Sequence, residues 1–248
     1  MSTWDDESAE VQRRYFEEAE VDRFRWTTSA PGFCETEDDL LEPIIAELAA
    51  PCLEIGCGEG NNLIRFAARQ PCTGVDLFPK KLLFASQELP SCRFAAAEAA
   101  RLPFGDGVFG SVFVRDLLHH VREPRDVLAE VARVLREDGR FYLLEPNGRN
   151  PLIWLQSRIV PAEAGARKFS PESVLAFFSG LPFGDTTVTA RQPMPLRRAI
   201  LHYQQGFPSL GRSRTVRRLL SGCERWIGAL IPRSRWTYIQ VSARRTTL

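Results

Sequence analysis

The sequence predicts an α/β protein of three layers, in which helices cover both faces of a doubly wound, mostly parallel, seven-stranded sheet. Short apolar segments typical of buried parallel strands alternate with segments whose apolar residues repeat at helical spacing. A glycine-rich turn joins the first such strand to a helix, and the last strand-like segment is rich in β-branched and aromatic residues. At 248 residues, one domain with an insertion is expected rather than two domains.

The first half of the predicted sheet is built around a nucleotide-binding βαβ unit. Its first strand, 52–55, leads into the turn 56–60 (GCGEG), where residues without a Cβ let the backbone bend sharply and approach a ligand. A helix over 61–70 follows, and the second strand, 72–76, ends on an aspartate. This acid lies 20 positions after the first glycine (76 − 56), close to the spacing that places a carboxylate on ribose hydroxyls.

Two residues narrow the identity of the nucleotide. A dinucleotide fingerprint has its third glycine where this chain has Asn61, and Glu54 inside the first strand would repel a pyrophosphate. A carboxylate at this place suits a ligand with a positive end. S-adenosylmethionine (SAM) has a cationic ammonium and sulfonium, a ribose diol and no phosphate. We therefore predict SAM as the cofactor, and NAD is the disfavoured alternative.

Five motifs occur in order along the chain, and together they resemble a known family. They are 53–60 (LEIGCGEG), 74–76 (GVD), 102–104 (LPF), 118–121 (LHHV) and 139–141 (GRF). They resemble class I, Rossmann-like SAM-dependent methyltransferases, and among these the type 11 group around the ubiquinone/menaquinone-biosynthesis methyltransferases. The resemblance covers residues 51–181. It implies that the last two strands close the sheet and that the final strand runs antiparallel.

The other elements follow from apolar spacing and from capping residues. A helix is expected to begin after the cap Ser170, and Gly139 is expected to end the helix before the fifth strand. The further strands are expected over 92–96, 108–114, 140–145, 186–191 and 236–243, and the other helices over 11–24, 38–49, 80–87 and 124–136. The chain is thus divided into a helical cap (1–50), a SAM-binding core (51–191), an insertion (192–235) and the final strand of the core (236–248).

The resemblance assigns cofactor contacts to residues that follow the predicted strands. Glu54 and the turn backbone hold the methionine portion, Asp76 holds the ribose, and Leu77 lies against the adenine. The adenine amino group is assigned to Glu98, where the family usually has an aspartate, and Ala99 supplies a backbone contact. The remaining predicted cofactor residues are Gly56, Cys57, Gly58 and Gly60 in the turn, and Arg115 at the end of the fourth strand.

The candidate catalytic residues are Asp116, His119 and His120. Asp116 either contacts the ammonium or the acceptor, or caps a helix. Either histidine is a candidate general base, although in the resembling group this pair often shapes the pocket instead. Methyl transfer is an in-line displacement that needs a base only if the acceptor must lose a proton. A Mg²⁺ site made by Asp116 with Glu145 or Asn147 is disfavoured by its spacing, and no metal is predicted.

The two ends of the chain differ in charge, although the formal net charge is only +1. Residues 1–50 contain fourteen acids and four arginines, whereas residues 192–235 contain nine arginines and one acid, Glu224. At 100° per residue, apolar residues of the insertion lie on one side of a helix and arginines on the other. The apolar side holds Val216, Leu219, Leu220, Cys223, Trp226, Ile227, Leu230 and Ile231, and the basic side holds Arg214, Arg217, Arg218 and Arg225.

This insertion has two interpretations. The favoured one is a lid whose apolar face covers the acceptor pocket, and the other is a helix that lies in an anionic membrane surface. With the apolar segment 151–155 on the same rim, both point to a small-molecule or lipid-like acceptor that is hydrophobic or amphiphilic. Nucleic acid is disfavoured as a partner, because the arginines lack interleaved aromatic residues beyond Trp226.

Composition bounds the cellular setting. There is no run of about 18 apolar residues, and residues 1–7 are acidic where a signal peptide is basic. The six cysteines form no Cys-x-x-Cys pair, so reduced thiols and a cytoplasmic location are expected, on the inner face of a membrane if the insertion is an anchor. The sequence thus predicts a SAM-dependent methyltransferase. The alternatives are a SAM-binding scaffold or regulator without turnover, an NAD-dependent oxidoreductase and a nucleic-acid methyltransferase.

Overall fold

A computed structural model of the protein describes residues 14–247. Its strands are β1 (Cys52–Ile55), β2 (Cys72–Asp76), β3 (Arg93–Ala96), β4 (Phe109–Arg115), β5 (Leu135–Pro146), β6 (Phe183–Arg191) and β7 (Tyr238–Arg245). Its helices are α1 (Val21–Ser29), α2 (Cys34–Ile45), α3 (Leu63–Ala67), α4 (Pro79–Glu88), α5 (Pro124–Val134), α6 (Pro151–Ile159), α7 (Pro171–Phe177), α8 (Leu196–Ile200) and α9 (Arg214–Leu230).

All seven strands form one sheet in the order β3-β2-β1-β4-β5-β7-β6. The first five strands pair in parallel, and β7 runs antiparallel between β5 and β6. The predicted doubly wound sheet with an antiparallel last strand is therefore confirmed. The chain reverses its direction of progress across the sheet between β1 and β4, and such switch points are where open α/β sheets bind ligands.

Alternate residues of the central strands pack on opposite faces of the sheet, as the pleat requires. On one face, Val112 and Phe141 belong to an apolar cluster with Val131 of α5. On the other face, Phe113 belongs to a second cluster with Leu41 of α2. The second cluster also contains Leu63 and Phe66 of α3, and the first also contains Val174 of α7. Both faces are thus covered, and the carboxyl ends of β1, β2 and β4 stay free for a site.

Several predicted boundaries are wrong by a few residues. The predicted helix 11–24 is helical at residues 14–16, is interrupted at 17–20 and continues as α1, which begins at Val21; residues 11–13 lie outside the described part. The predicted helix 38–49 is α2, which begins and ends four residues earlier. Strand β6 begins three residues earlier than predicted and ends where predicted, and β7 is shifted by two residues at both ends.

The fifth strand differs most from the prediction. Helix α5 ends at Val134, and β5 begins directly at Leu135, so Gly139 lies within the strand and does not end a helix. The register with β4 jumps from Phe109↔Leu135 to Ser111↔Arg140. Asp138 adopts a positive φ of 60° in this stretch, so the extra residues form a local bulge in the strand.

The insertion folds as α8, a 3₁₀ segment (Pro208–Arg212), α9 and a second 3₁₀ segment (Arg233–Arg235). The predicted amphipathic helix is α9, and part of its apolar side faces outward: Leu219, Trp226 and Leu230 are each about two-thirds exposed (64–67%), whereas Val216, Leu220 and Ile227 are half-buried. The inward side is anchored by buried Glu224, whose carboxylate accepts hydrogen bonds from the backbone N and Nε of Arg197 at 2.8 and 2.6 Å. This ion pair determines which face of α9 is turned toward the core.

Two further sequence expectations concern helices and thiols. In residues 14–247, no helix combines the length and hydropathy that crossing a bilayer requires. The cysteines are free thiols, and Cys52, Cys57 and Cys72 are buried around the first two strands.

Candidate functional site

The glycine turn after β1 folds back over the end of β2. The backbone N–H groups of Gly56 and Cys57 both donate to the carbonyl of Val75, at 2.8 and 3.0 Å. Gly58 has a positive φ of 51°, and a Cβ built on it would meet no atom within 4 Å. Its backbone therefore faces open space, which is the arrangement that lets a ligand approach closely. Gly60 differs, because a Cβ there would lie 2.7 Å from Leu89, so its role is close packing.

Asp76 is locked in place by the turn that it faces. One carboxylate oxygen accepts the N–H of Gly58 at 2.8 Å, and the other accepts the N–H of Phe78 at 3.0 Å. Burial raises the pKa of Asp76, although these two donors oppose the shift. Each carboxylate oxygen keeps a second lone pair, so Asp76 retains the capacity to accept two hydroxyl groups of a ribose.

A cavity of about 650 Å³ opens beside this carboxylate. Its volume lies in the range of about 300–1,000 Å³ that is usual for small-molecule sites. Leu77, half exposed, and Glu98 and Ala99 lie on its wall next to Asp76, as predicted. The opposite wall contains residues of α1, α2 and α8: Arg23, Thr27, Glu37 and Arg198.

Glu54 lies behind the cavity wall. Its side chain is almost fully buried, and Oε1 accepts a hydrogen bond from Nδ2 of Asn62 at 2.6 Å. Burial raises the pKa of Glu54 to about 8, and Oε2 has no hydrogen-bond partner among the described residues. Asn62 is the residue that reaches the wall. The predicted contribution of Glu54 to ligand binding therefore becomes indirect, through the position of Asn62.

Five polar residues form a group that we call the Arg115 cluster: Glu37, Asn62, Arg115, Asp116 and Tyr238. Asp116 is half-buried and the other four are buried. The guanidinium of Arg115 donates to Glu37 at 2.6 Å, to Asn62 at 3.1 Å and to the Tyr238 hydroxyl at 3.3 Å. Its Nε lies 3.3 Å from Asp116 Oδ2. Burial opposes ionisation of Glu37, but the guanidinium of Arg115 outweighs it and lowers the pKa of that carboxyl. The cluster fixes Arg115 and Asp116, both of which line the cavity.

His119 points away from the cavity into a pair of carboxylates. Its Nδ1 lies 2.6 Å from Glu145 and its Nε2 lies 3.3 Å from Glu163. Burial opposes protonation, but Glu145 and Glu163 outweigh it and raise the pKa of His119 to about 10. Glu145 also accepts the N–H groups of Leu117 and Leu118 at 2.9 and 2.7 Å. His119 is therefore a buried imidazolium that holds this segment, and the expectation that it takes a proton from an acceptor does not fit its position.

His120 is the histidine that lines the cavity. Its ring lies edge-to-face on Phe16 with centroids 4.9 Å apart. Burial, together with the adjacent His119 imidazolium, lowers the pKa of His120 to about 3. The buried Nδ1 has no hydrogen-bond partner in the part of the chain that the structure describes. His120 is thus a neutral imidazole on the cavity wall, and its unpaired Nδ1 is buried.

The predicted metal ligands do not converge with Asp116. Glu145 is occupied by His119 and two backbone N–H groups, and Asn147 donates to the carbonyls of Ser234 and Trp236. Ligand atoms of His119, His120 and Glu163 do lie within 4.8 Å of one another. However, both ring nitrogens of His119 already face carboxylates, and a protonated imidazole offers no lone pair to a cation.

Several residues of the site were missed by the sequence reasoning, among them Glu37, Arg198 and Tyr238. These three belong to segments without any of the five motifs; Glu37 and Arg198 line the cavity, and Tyr238 contacts Arg115 and Arg198 behind it. Most predicted cofactor and catalytic residues do lie on the cavity wall. These are Gly56, Cys57, Gly58, Asp76, Leu77, Glu98, Ala99, Arg115, Asp116 and His120, whereas Glu54, Gly60 and His119 lie behind it.

Comparisons with known proteins agree with this geometry. Residues 53–143 match the methyltransferase domain family. The uncharacterized methyltransferase YcgJ of Bacillus subtilis is 38% identical over 121 residues, which make up 46% of this chain and 48% of that protein. A demethylmenaquinone methyltransferase of Thermus thermophilus is 30% identical over 145 residues, or 50% of this chain and 66% of that protein. The matched part thus spans about half to two thirds of these curated relatives.

A solved structure extends the likeness to nearly the whole chain. Phosphoethanolamine N-methyltransferase 2 of Haemonchus contortus, in complex with SAM, superposes with a TM-score of 0.67 at 18% identity. The superposition covers 95% of this chain and 60% of that one, and at this identity it shows a shared fold. The matched family over residues 53–143, together with these relatives and the five motifs, identifies the chain as one that contains a class I, Rossmann-like SAM-dependent methyltransferase domain.

Proposed function

We propose that the protein is an active SAM-dependent methyltransferase whose acceptor is a small hydrophobic or amphiphilic molecule. The observation that carries this proposal is the placement of Asp76. Its carboxylate is fixed by the N–H of Gly58 at 2.8 Å and stands on the wall of a 650 Å³ cavity. Acidic, basic and imidazole groups line the opposite wall, where an acceptor would lie next to the donor.

The residues on the wall fit SAM. Asp76 would accept the ribose hydroxyls, and the open backbone at Gly58 leaves room for the methionine portion. Leu77 presents an apolar surface for the adenine, and Glu98 a carboxylate for its amino group. SAM, when bound, supplies the activated methyl group. The chain contributes by holding donor and acceptor in line in a site that excludes water, an effect worth about 7–11 kcal/mol in well-oriented reactions.

His120 would orient the acceptor. Its ring lines the cavity and would pack against the acceptor, whereas the unpaired Nδ1 is buried away from the cavity surface. With a pKa of about 3, the imidazole is neutral at physiological pH but weakly basic. We therefore assign His120 a role in positioning and not in removing a proton from an ordinary hydroxyl. His119 is a positioning residue, because its imidazolium packs against His120 with ring centroids 3.8 Å apart.

The identities of related proteins are compatible with an amphiphilic acceptor. One relative is named for demethylmenaquinone and one structural neighbour for phosphoethanolamine, so related folds act on both hydrophobic and charged molecules. The alternative of a SAM-binding scaffold without turnover shares all of these cofactor contacts and is separated from an enzyme by a transfer assay. No feature of the described cavity favours NAD-dependent oxidation or nucleic-acid methylation.

A transfer assay tests the proposed activity. Incubation with SAM carrying a tritiated methyl group is expected to label a molecule in a lipid or quinone extract of cells. Asp76→Ala is expected to abolish both the label and measurable SAM binding in calorimetry, because the ribose loses its acceptor. Asp106→Ala is the matched control, since this exposed carboxylate pairs with Arg133 and lies outside the cavity.

Two outcomes would contradict the assignments. Retained SAM affinity in Asp76→Ala would remove Asp76 from the ribose site. Tight SAM binding without transfer to any fraction would favour the scaffold over the enzyme.

A rise in melting temperature with SAM but not with NAD is expected for the wild-type protein.

The charge on His119 predicts how stability depends on pH. Its pKa is raised from 6.5 in the unfolded chain to about 10, so its contribution is complete below pH 6.5 and is lost as pH rises toward 10. His119→Gln is expected to lower the free energy of unfolding by about 3 kcal/mol at pH 6, as for other broken buried ion pairs. The difference from wild type is expected to narrow between pH 7 and 10, measured by urea denaturation.

His202→Gln serves as the control for this pH profile. Burial lowers the pKa of His202, so its replacement cannot produce a difference that narrows at alkaline pH. A difference between wild type and His119→Gln that stays constant from pH 6 to pH 10 would show that His119 is neutral in the folded protein.

We also propose that α9 attaches a cytoplasmic protein to an anionic membrane surface. The lid interpretation required the apolar side of α9 to cover the cavity, yet none of the described cavity residues belongs to α9. Leu219, Trp226 and Leu230 face outward, as do Trp154 and Ile159 of α6. Asn150, the cap of α6, donates to the carbonyl of Arg235 in the 3₁₀ segment that follows α9, so the insertion is bonded to the start of α6.

Arginines beside this apolar surface support an anionic binding partner. Among the described residues, Arg214, Arg218 and Arg225 have no carboxylate within 4.0 Å, whereas Arg217 pairs with Glu35 at 3.2 Å. An amphipathic helix with tryptophan on one side and arginines on the other is the pattern of interfacial membrane helices.

Vesicle sedimentation tests this attachment. Wild type is expected to bind vesicles of phosphatidylcholine with phosphatidylglycerol and not vesicles of phosphatidylcholine alone. Trp226→Ser is expected to weaken binding by about tenfold, since a buried aromatic side chain contributes roughly 1.5–3 kcal/mol. The control is Leu83→Ser, an equally exposed residue of α4 (63%). Equal effects of the two substitutions, or equal binding to both vesicles, would refute the attachment.

A further inference from the structure

Arg198 occupies an unusual electrostatic position on the cavity wall. It belongs to α8, the first helix of the insertion, and its Nη1 donates to the Tyr238 hydroxyl at 2.9 Å. Within residues 14–247, no carboxylate lies within 4.0 Å of its guanidinium. The neighbouring Arg197, by contrast, contacts Glu224 at 2.6 Å and Asp39 at 3.5 Å.

The carboxylates nearest to Arg198 are already committed. Glu37 and Asp116 both lie against Arg115, at 2.6 and 3.3 Å. The Tyr238 hydroxyl, which Arg198 contacts, in turn lies 3.3 Å from Asp116 Oδ2. The Arg115 cluster thus contains two carboxylates and one guanidinium, and Arg198 balances its net charge. Among the described residues, however, the guanidinium of Arg198 has no carboxylate in direct contact and donates to the Tyr238 hydroxyl.

A second guanidinium lies on the same wall. Arg23 of α1 also lines the cavity, and among the described residues it too has no carboxylate within 4.0 Å. Guanidinium groups withdrawn from bulk water are costly unless an anion or hydrogen-bond acceptors replace the lost hydration. The wall formed by α1 and α8 is thus suited to a negatively charged occupant.

The order of the strands separates this wall from the ribose site. Arg198 is connected through Tyr238 to Asp116, which follows β4, whereas Asp76 ends β2. Since β1 lies between β2 and β4, the two strand ends are two steps apart, or about 10 Å at roughly 4.8 Å per strand. The anion site is therefore on the acceptor side of the cavity, beyond the glycine turn.

We infer that Arg198 binds a carboxylate or phosphate group carried by the methyl acceptor, with Arg23 on the same wall as a second guanidinium donor. This inference rests on the proposed methyltransferase function and specifies its substrate class as an anionic amphiphile. The planar guanidinium presents paired N–H donors that match either anion, and a lysine would offer only a point charge.

Matched amphiphiles test the inference. The full chain is saturated with S-adenosylhomocysteine and titrated in a calorimeter with decanoate, decyl phosphate or decanol, which share one alkyl chain. At least one of the two anions is expected to bind tenfold or more tightly than decanol. Arg198→Met is expected to remove that preference and leave decanol affinity unchanged, whereas Arg198→Lys is expected to keep part of it.

Arg218→Met is the control, because it removes an exposed arginine of the same insertion that is absent from the cavity wall. Equal affinity for decanol and both anions, no binding of any amphiphile, or an equal loss in Arg218→Met would overturn the inference. So would an Arg198→Met variant that loses affinity for S-adenosylhomocysteine but keeps the anion preference, since Arg198 would then bind the carboxylate of the donor. Failure of wild type to bind S-adenosylhomocysteine would instead refute the proposed function itself, and the inference with it.

Discussion

The structure depends on one short hydrogen bond, from the backbone N–H of Gly58 to the carboxylate of Asp76 at 2.8 Å. This hydrogen bond connects the turn after β1 to the end of β2. It places the carboxylate of Asp76 beside the open backbone at Gly58. The bond requires a positive φ at Gly58 and a strand that ends at Asp76, so both features of the sequence serve one geometry. The donor site follows from this bond, since other predicted contacts lie on either side of it.

Polar and charged side chains fix the geometry of the part of the cavity that we assign to the acceptor. Glu54 holds Asn62, Asn62 accepts from Arg115, and Arg115 pairs with Glu37 and Asp116. Breaking one member of such a group leaves an uncompensated charge, so the cluster fixes the positions of the polar groups that face the cavity. The His119 imidazolium between Glu145 and Glu163 has the same effect on the segment that carries His120. Rigid polar walls of this kind favour a defined orientation of the acceptor.

Much of the fold was predictable because the signals are local. The glycine turn, the apolar strands around it and the aspartate at the end of β2 lie within 25 consecutive residues, 52–76. The start of β5 was not predictable in this way, because its bulge depends on register with β4. The same holds for Tyr238 and Glu37, which meet Arg115 across 123 and 78 positions of sequence. Amphipathic spacing revealed that α9 has an apolar side, but the Glu224–Arg197 pair determines its direction.

The insertion thus contributes to two surfaces. Through α8 it places Arg198 on the cavity wall, and through α9 it presents an apolar and basic face to the outside. An anionic amphiphile that leaves a membrane surface would contact the outer face of α9 and Arg198 on the cavity wall.

A crystal structure with S-adenosylhomocysteine tests the central claim most directly. The account predicts the nucleoside in the cavity beside Gly58, with both ribose hydroxyls within hydrogen-bonding distance of Asp76 and the adenine between Leu77 and Glu98. A ligand bound elsewhere, or a ribose that does not contact Asp76, would contradict it.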